Sequence, residues 1–314
     1  MFQVRTDLAL ESKEKFEEDN VEVKGVRVEE EQLAPEIRVT RVYIDTENGA
    51  RIMGKPKGSY ITLEASDMME ENEQQQRKVA MELAKIVKNM MPEQKEQMSV
   101  LVVGLGNRHV TPDALGPYVV ENMMINRHIL QEFGPCALEH PDGKIVSAIV
   151  PGVMAQTGME SSEIIAGIIG KTKPGLVVVV DALAARSVRR LNRTIQISDT
   201  GINPGSGVGN HRHAINEESV GVPVIAIGVP TVVDAATIVS DTMDELVTAM
   251  RQSDTLQSLG ASLSTLDDAE KRELVRELLS PNLNAMFVTP KDIDDAVRNL
   301  SHTVAEGLNL AFSS

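Results

Sequence analysis

Two aspartates carry most of the chemistry that can be read from this sequence. Asp113 follows the stretch Val100-Leu-Val-Val-Gly-Leu-Gly-Asn-Arg-His-Val-Thr-Pro. That stretch reads as a buried strand, a glycine turn and a short polar loop. Asp181 closes the apolar run Leu176-Val-Val-Val-Val. In open α/β sheets the site lies off the carboxyl ends of the strands, so both carboxylates are expected at that edge. An aspartate there can also cap the next helix. Two of them, each after a buried strand, tilt the reading toward a site. Neighbouring carboxylates do not both ionise cheaply and share a proton. One then serves as base for a water while the other polarises a carbonyl. The alternative keeps the same aspartates as ligands of a metal ion, with His211 as a third; His213 lies two residues further on.

Other motifs fail on spacing. Gly104-Leu105-Gly106 follows a strand, but the dinucleotide fingerprint needs a glycine where His109 stands. Gly170-Lys171-Thr172 lacks the earlier glycine of a phosphate loop, its place being taken by Ile165. Asp199-Thr200-Gly201 is the tripeptide of pepsin-like proteases; a single copy on an α/β background reads better as a turn. The glycine-rich loop 203–210 follows a strand and would let a ligand backbone approach closely, since glycine has no side chain. Asn107, Gly205 and Gly207 are accordingly expected to border the cleft.

The elements that position these residues alternate. Strands are expected at 99–103, 145–149, 176–181, 193–198 and 223–228. Helices are expected at about 114–128, 160–170 and 233–250, with two more after residue 251. This pattern predicts an α/β three-layer sandwich with a mostly parallel sheet. Before it, residues 21–64 read as a small antiparallel sheet, with Asn48-Gly49 as a hairpin turn. A long helix from Ser66 to about Met91 follows. Thr289-Pro290 with Asp292 reads as the start of a C-terminal helix.

Composition bounds the partners. The chain has 314 residues, 42% of them hydrophobic, and a net charge of −15. That charge argues against binding nucleic acid, whose affinity comes largely from Lys and Arg. One cysteine, Cys136, excludes a disulfide framework. No apolar run is long enough to span a bilayer, and the charged N-terminus is no signal peptide. A cytoplasmic protein with no membrane partner is expected.

The strings GLGNRHVTPDALGP, PGVMAQTGMESSEI, VVVVDALAARS, TIQISDTGINPGSGVGN and GVPVIAIGVPTVVDAATIVSDT closely resemble the germination proteases of spore-forming bacteria. The resemblance runs from the VRTDLALE start to about residue 250. It implies an atypical aspartate-based endopeptidase and a fold like that of the hydrogenase-maturation endopeptidases; no cofactor is expected, with a metal ion between the aspartates as the alternative. Carried over by motif, its catalytic pair is Asp113 and Asp181. It also implies a homotetrameric zymogen of the spore core that clips its own N-terminus and degrades small acid-soluble spore proteins. Such substrates carry Thr-Glu-(Ile/Phe)-Ala, cut after the acid. Thr6-Asp7-Leu8-Ala9 mimics that sequence, so cleavage is expected between Asp7 and Leu8. The expected divisions are a propeptide (1–7), N-terminal strands with a long helix (8–97), a catalytic core (98–250) and a helical region (251–314). A non-enzymatic chaperone that binds an extended peptide near the 201–210 loop is the reading from outside enzymology.

Overall fold

The computed structural model describes residues 6–18, 23–65, 68, 72–93, 98–138, 143–206, 212–253, 256 and 286–313. Gly207, His211, Ser66 and the segment after residue 256, where one of the two last helices was expected, lie outside the described residues.

The protein is α/β, built among the described residues on one mixed sheet of nine strands. The strands are β1 (Val26–Ala34), β2 (Ile37–Ile44), β3 (Gly58–Ala65), β4 (Ser99–Gly104), β5 (Ile145–Ile149), β6 (Leu176–Ala185), β7 (Thr194–Ser198), β8 (Val224–Asp234) and β9 (Phe287–Val288). Their order is β1-β2-β3-β7-β8-β6-β4-β5, with β9 on β8. The parallel part is β5-β4-β6-β8. The N-terminal antiparallel strands are present as expected. They join the main sheet edge-on, β3 pairing with β7 and β7 with β8, rather than standing apart.

The helices that matter here are α1 (Ala9–Glu18), α2 (Glu47–Met53), α3 (Glu73–Met90), α4 (Leu115–Glu121), α5 (Arg127–Phe133), α6 (Met154–Thr157), α7 (Ser161–Thr172), α8 (Glu217–Val220), α9 (Ala235–Gln252) and α10 (Ile293–Phe312). Side chains of a strand alternate between faces, so a strand buried on both sides is apolar throughout. Val100, Val102, Val178 and Val180 meet Leu83 and Val87 of α3, Leu115 and Val119 of α4, and Val297, Leu300 and Val304 of α10. Leu101, Val103, Val177 and Val179 meet Ile165 and Ile169 of α7 on the other face. This gives the three layers.

Local chemistry moved several boundaries. Asn48-Gly49 is no hairpin turn. Thr46 caps α2 by accepting from the Gly49 N–H at 3.0 Å, and Gly54 ends it at φ 65°. The long helix starts at Glu73 behind Asn72, whose side chain accepts from the Gln75 N–H. The helix expected over 114–128 is two pieces, α4 and α5. Pro290 precedes the N-cap Asp292 of α10 instead of opening the helix. Among the described residues no helix is long and apolar enough to cross a membrane.

Candidate active site

Asp181 does not end its strand. It is the sixth residue of β6, which runs on beside β8 to Ala185. The parallel neighbour β4 stops at Gly104, opposite Val180. Asp181 is therefore the first β6 residue past the end of β4, and the loop after β4 turns across it. The Leu105 N–H fastens that turn by donating to the Val180 carbonyl at 2.8 Å.

Glycines let the chain close here. A Cβ on Gly104 would sit 2.2 Å from the Gly116 carbonyl oxygen, so this glycine lets α4 pack against the strand end. Gly106 has φ +114°, and a Cβ on it would lie 1.9 Å from the Asp113 carbonyl oxygen. Asp113 itself ends a short 3-10 turn, Thr111–Asp113. The Asn107 N–H donates to Asp113 Oδ2 at 2.8 Å, and Thr231 Oγ1 donates to the Pro112 carbonyl at 2.6 Å. The loop is thus tied to both ends of its own turn and to β8.

Asp113 and Asp181 line one cavity of about 370 Å³, together with Asp7, Gly205, Arg212 and Thr289. Asp181 is 6% exposed and accepts from the Ala182 N–H at 2.9 Å. Burial pushes its carboxyl well above the usual carboxylate range. The Asp113 and Asp7 carboxylates push it further, against the Ala182 N–H and Arg212. Burial also raises Asp113, opposed by the Asn107 N–H and Arg212. Both groups thus hold protons more tightly than usual, Asp181 the more strongly. This suits proton sharing between an acid and a base.

The shift carries a stability consequence. An unfolded aspartate loses its proton near 3.8, while Asp181 in the fold keeps it to a higher pH. Between those values the folded state binds more protons, so stability falls as pH rises. Asp181→Asn escapes that loss. It is expected to melt above wild type, with no gain below about pH 4 and a growing gain toward neutrality. Thermal melts across pH check it; a gain that shrinks as pH rises would contradict the burial argument.

The N-terminal segment sits in the same region. The Asp7 N–H donates to the Ala184 carbonyl at 3.1 Å, and the Ala184 N–H returns a bond to Asp7 Oδ2 at 3.0 Å. Ser206 Oγ donates to Asp7 Oδ1 at 2.7 Å. Leu8 is fully buried against Leu183, Leu191 and Val233. Beyond it, Glu11 is buried and accepts from the Arg186 and Ser187 N–H groups at 2.8 and 2.9 Å and from the Thr6 hydroxyl. The segment lies along the continuation of β6, a few residues past Asp181.

Of the residues singled out in the sequence, Asp113, Asp181, Asp7 and Gly205 meet at the cavity. Asn107 braces the loop from behind: its Oδ1 accepts from the His109 N–H at 3.0 Å and from Gln156 Nε2 at 3.1 Å. Asp199 does the work of a turn, accepting from the Ser59 N–H at 2.8 Å. Among the described residues no cluster of three or more His, Cys, Asp or Glu is placed to hold a metal ion. Arg212, Lys55 and Gln196 were not anticipated, and Ser206 only as part of the 203–210 loop. Gln196 left a signal, a polar residue inside the apolar strand Thr-Ile-Gln-Ile-Ser, which burial permits only if it is hydrogen-bonded.

Residues 4–255 and 249–314 match the family model described as germination protease. The germination protease of Caldanaerobacter subterraneus subsp. tengcongensis is 47% identical over 310 residues, covering 98% of this chain and 94% of its own length. That of Clostridium perfringens is 45% identical over 317 residues, covering 99% and 95%. Among solved structures, the [NiFe] hydrogenase maturation protease HycI from Thermococcus kodakarensis KOD1 is 22% identical over 46% of this chain and 80% of its own, with a TM-score of 0.28.

Proposed function

This chain belongs to the germination protease family, and we propose that it is a self-processing endopeptidase in which Asp113 and Asp181 do the acid–base work. Its first substrate is its own Asp7–Leu8 bond. Its later substrates are small acid-soluble spore proteins cut after an acidic residue, in the spore core and as a homotetramer.

One observation carries the reading. Asp7, the residue before the expected cut, hydrogen-bonds to β6 three residues beyond Asp181 and shares the cavity of both aspartates. Its carboxylate is held by a backbone N–H and a hydroxyl, which selects an acidic side chain at that position. Leu8 fills the apolar pocket that follows.

The chemistry follows from the environments. Asp181, more deeply buried and more strongly raised, holds the shared proton. Asp113, half-buried with Arg212 in the same cavity, is the ionised partner and takes a proton from water. The water oxygen bonds to the Asp7 carbonyl carbon. As the carbon–nitrogen bond breaks, the leaving nitrogen of Leu8 takes the proton from Asp181.

Removing the Asp7 carboxylate tests recognition apart from chemistry. Asp7→Ala loses two charge-assisted hydrogen bonds and is expected to slow self-cleavage about 10- to 100-fold. Timed intact-mass measurement reads it. Self-cleavage at the wild-type rate would mean that the Ala184 and Ser206 contacts do not select the acid.

A further inference from the structure

The peptide unit between Asp7 and Leu8 has partners that the aspartate pair does not supply. The Asp7 carbonyl oxygen accepts from Lys55 Nζ at 2.9 Å and from Gln196 Nε2 at 3.0 Å. The other end of the same amide, Gln196 Oε1, accepts from the Ala9 N–H at 2.6 Å. One buried side chain thus grips the backbone on both sides of the bond. Asp7 lies on the wall between two cavities. One contains the aspartates; the other is lined by Lys55, Gln196, Tyr60 and Ser206.

We infer that Lys55 and Gln196 form the carbonyl-binding half of the active site: Lys55 and the Gln196 amide N–H hold the oxygen of the scissile carbonyl, while Gln196 Oε1 fixes the strand beyond it. This rests on the reading that Asp7–Leu8 is the bond cut.

Attack of water turns that carbonyl oxygen into an oxyanion. Two donors already within 3.0 Å of it need no rearrangement to meet the new charge. Collapse of the intermediate restores the carbonyl, and the electron pair leaves with the Leu8 nitrogen. Lys55 and Gln196 exchange no proton in this scheme. The Lys55 backbone is fixed at the end of α2, its N–H donating to the Ala50 carbonyl at 3.1 Å. Gln196 is fixed by its place in β7, between the buried Ile195 and Ile197. Both contacts read backbone, so an incoming substrate of different sequence meets the same grip once residues 1–7 have left and the new N-terminus, Leu8-Ala9, has moved off Gln196.

The test uses the full chain and, in trans, a peptide with the sequence of residues 1–14. Lys55→Met is expected to lower kcat/KM about 10²- to 10³-fold, most of it in kcat, because the contact to the ground-state carbonyl strengthens as the oxyanion forms. Lys55→Arg, which keeps the charge, is expected to recover part of that loss. Wild-type kcat in Lys55→Met would overturn the inference. A second arm needs no variant to fold. With wild-type enzyme, the peptide carrying N-methylalanine at the place of Ala9 lacks the N–H that Gln196 accepts. It is expected to be cut at least about 5-fold less efficiently, the cost of leaving a buried acceptor unpaired. Equal efficiency would overturn the role of Gln196. Wild-type protein that never loses residues 1–7 would sink the underlying reading; wild type that loses them at the same rate as Lys55→Met would sink only this inference.

Discussion

Asp113→Asn and Asp181→Asn are each expected to leave a folded protein whose self-cleavage is slower by about 10³-fold or more. The two changes fail for different reasons. Asparagine at 113 takes no proton from water, so the nucleophile is never generated. Asparagine at 181 still donates a hydrogen bond but gives no proton to the leaving nitrogen of Leu8. Each removes one of two groups that act as a unit, so the double variant is expected to be little worse than either single one. Because Asp181 is buried and burial opposes its charge, Asp181→Asn is expected to gain stability at neutral pH even as it loses activity. That combination separates a catalytic role from a structural one. A variant that is both inactive and unstable at neutral pH would speak for structure instead.

Gly106→Ala is the second large effect. The backbone there is at φ +114°, which non-glycine residues rarely adopt. The added methyl would also lie 1.9 Å from the Asp113 carbonyl oxygen, a backbone atom with little room to yield. Strain and overlap together are expected to cost about 2–4 kcal/mol of stability. What relief is available comes by moving Asp113, which breaks its bond from the Asn107 N–H. Loss of activity and a lower urea midpoint are expected together. Gly134 makes a useful control: it also has positive φ, but a Cβ on it would meet nothing within 4 Å. Gly134→Ala is expected to cost only the backbone term, about 1 kcal/mol, and to keep activity. Equal effects at the two positions would remove steric control of Asp113 from the account.

The acidic pair was legible because its signal is local. Asp181 directly follows a buried valine run and Asp113 follows the short polar loop after another, and a carboxylate in either place is hard to explain without a site or a cap. Strand length was not legible. Asp181 looked like the end of β6, yet Ala182, Leu183, Ala184 and Ala185 continue it, because β8 runs alongside with matching apolar residues. That extension is what seats Asp7. The sequence suggested a cut at Asp7–Leu8 by resemblance, but not where the segment lies. Its place depends on Ala184, Gln196 and Ser206, which are 177, 189 and 199 residues away in the chain. Lys55 was hidden for the same reason. In Gly54-Lys55-Pro56-Lys57-Gly58 it reads as one charge in a turn, and only the pairing of β3 with β7 brings that turn to the Gln196 side of the sheet. Arg212 sat beside a glycine loop with nothing in its neighbours to mark it.

The central claim is that Asp113 and Asp181 cut the chain after Asp7 without help from a metal. The intact mass of purified wild-type protein after incubation at mildly acidic pH, with and without a chelator, tests it most directly. Loss of residues 1–7 in both samples, and in neither with Asp181→Asn, is the predicted result. No loss in wild type, loss at another bond, or loss that a chelator stops and added metal restores would contradict it.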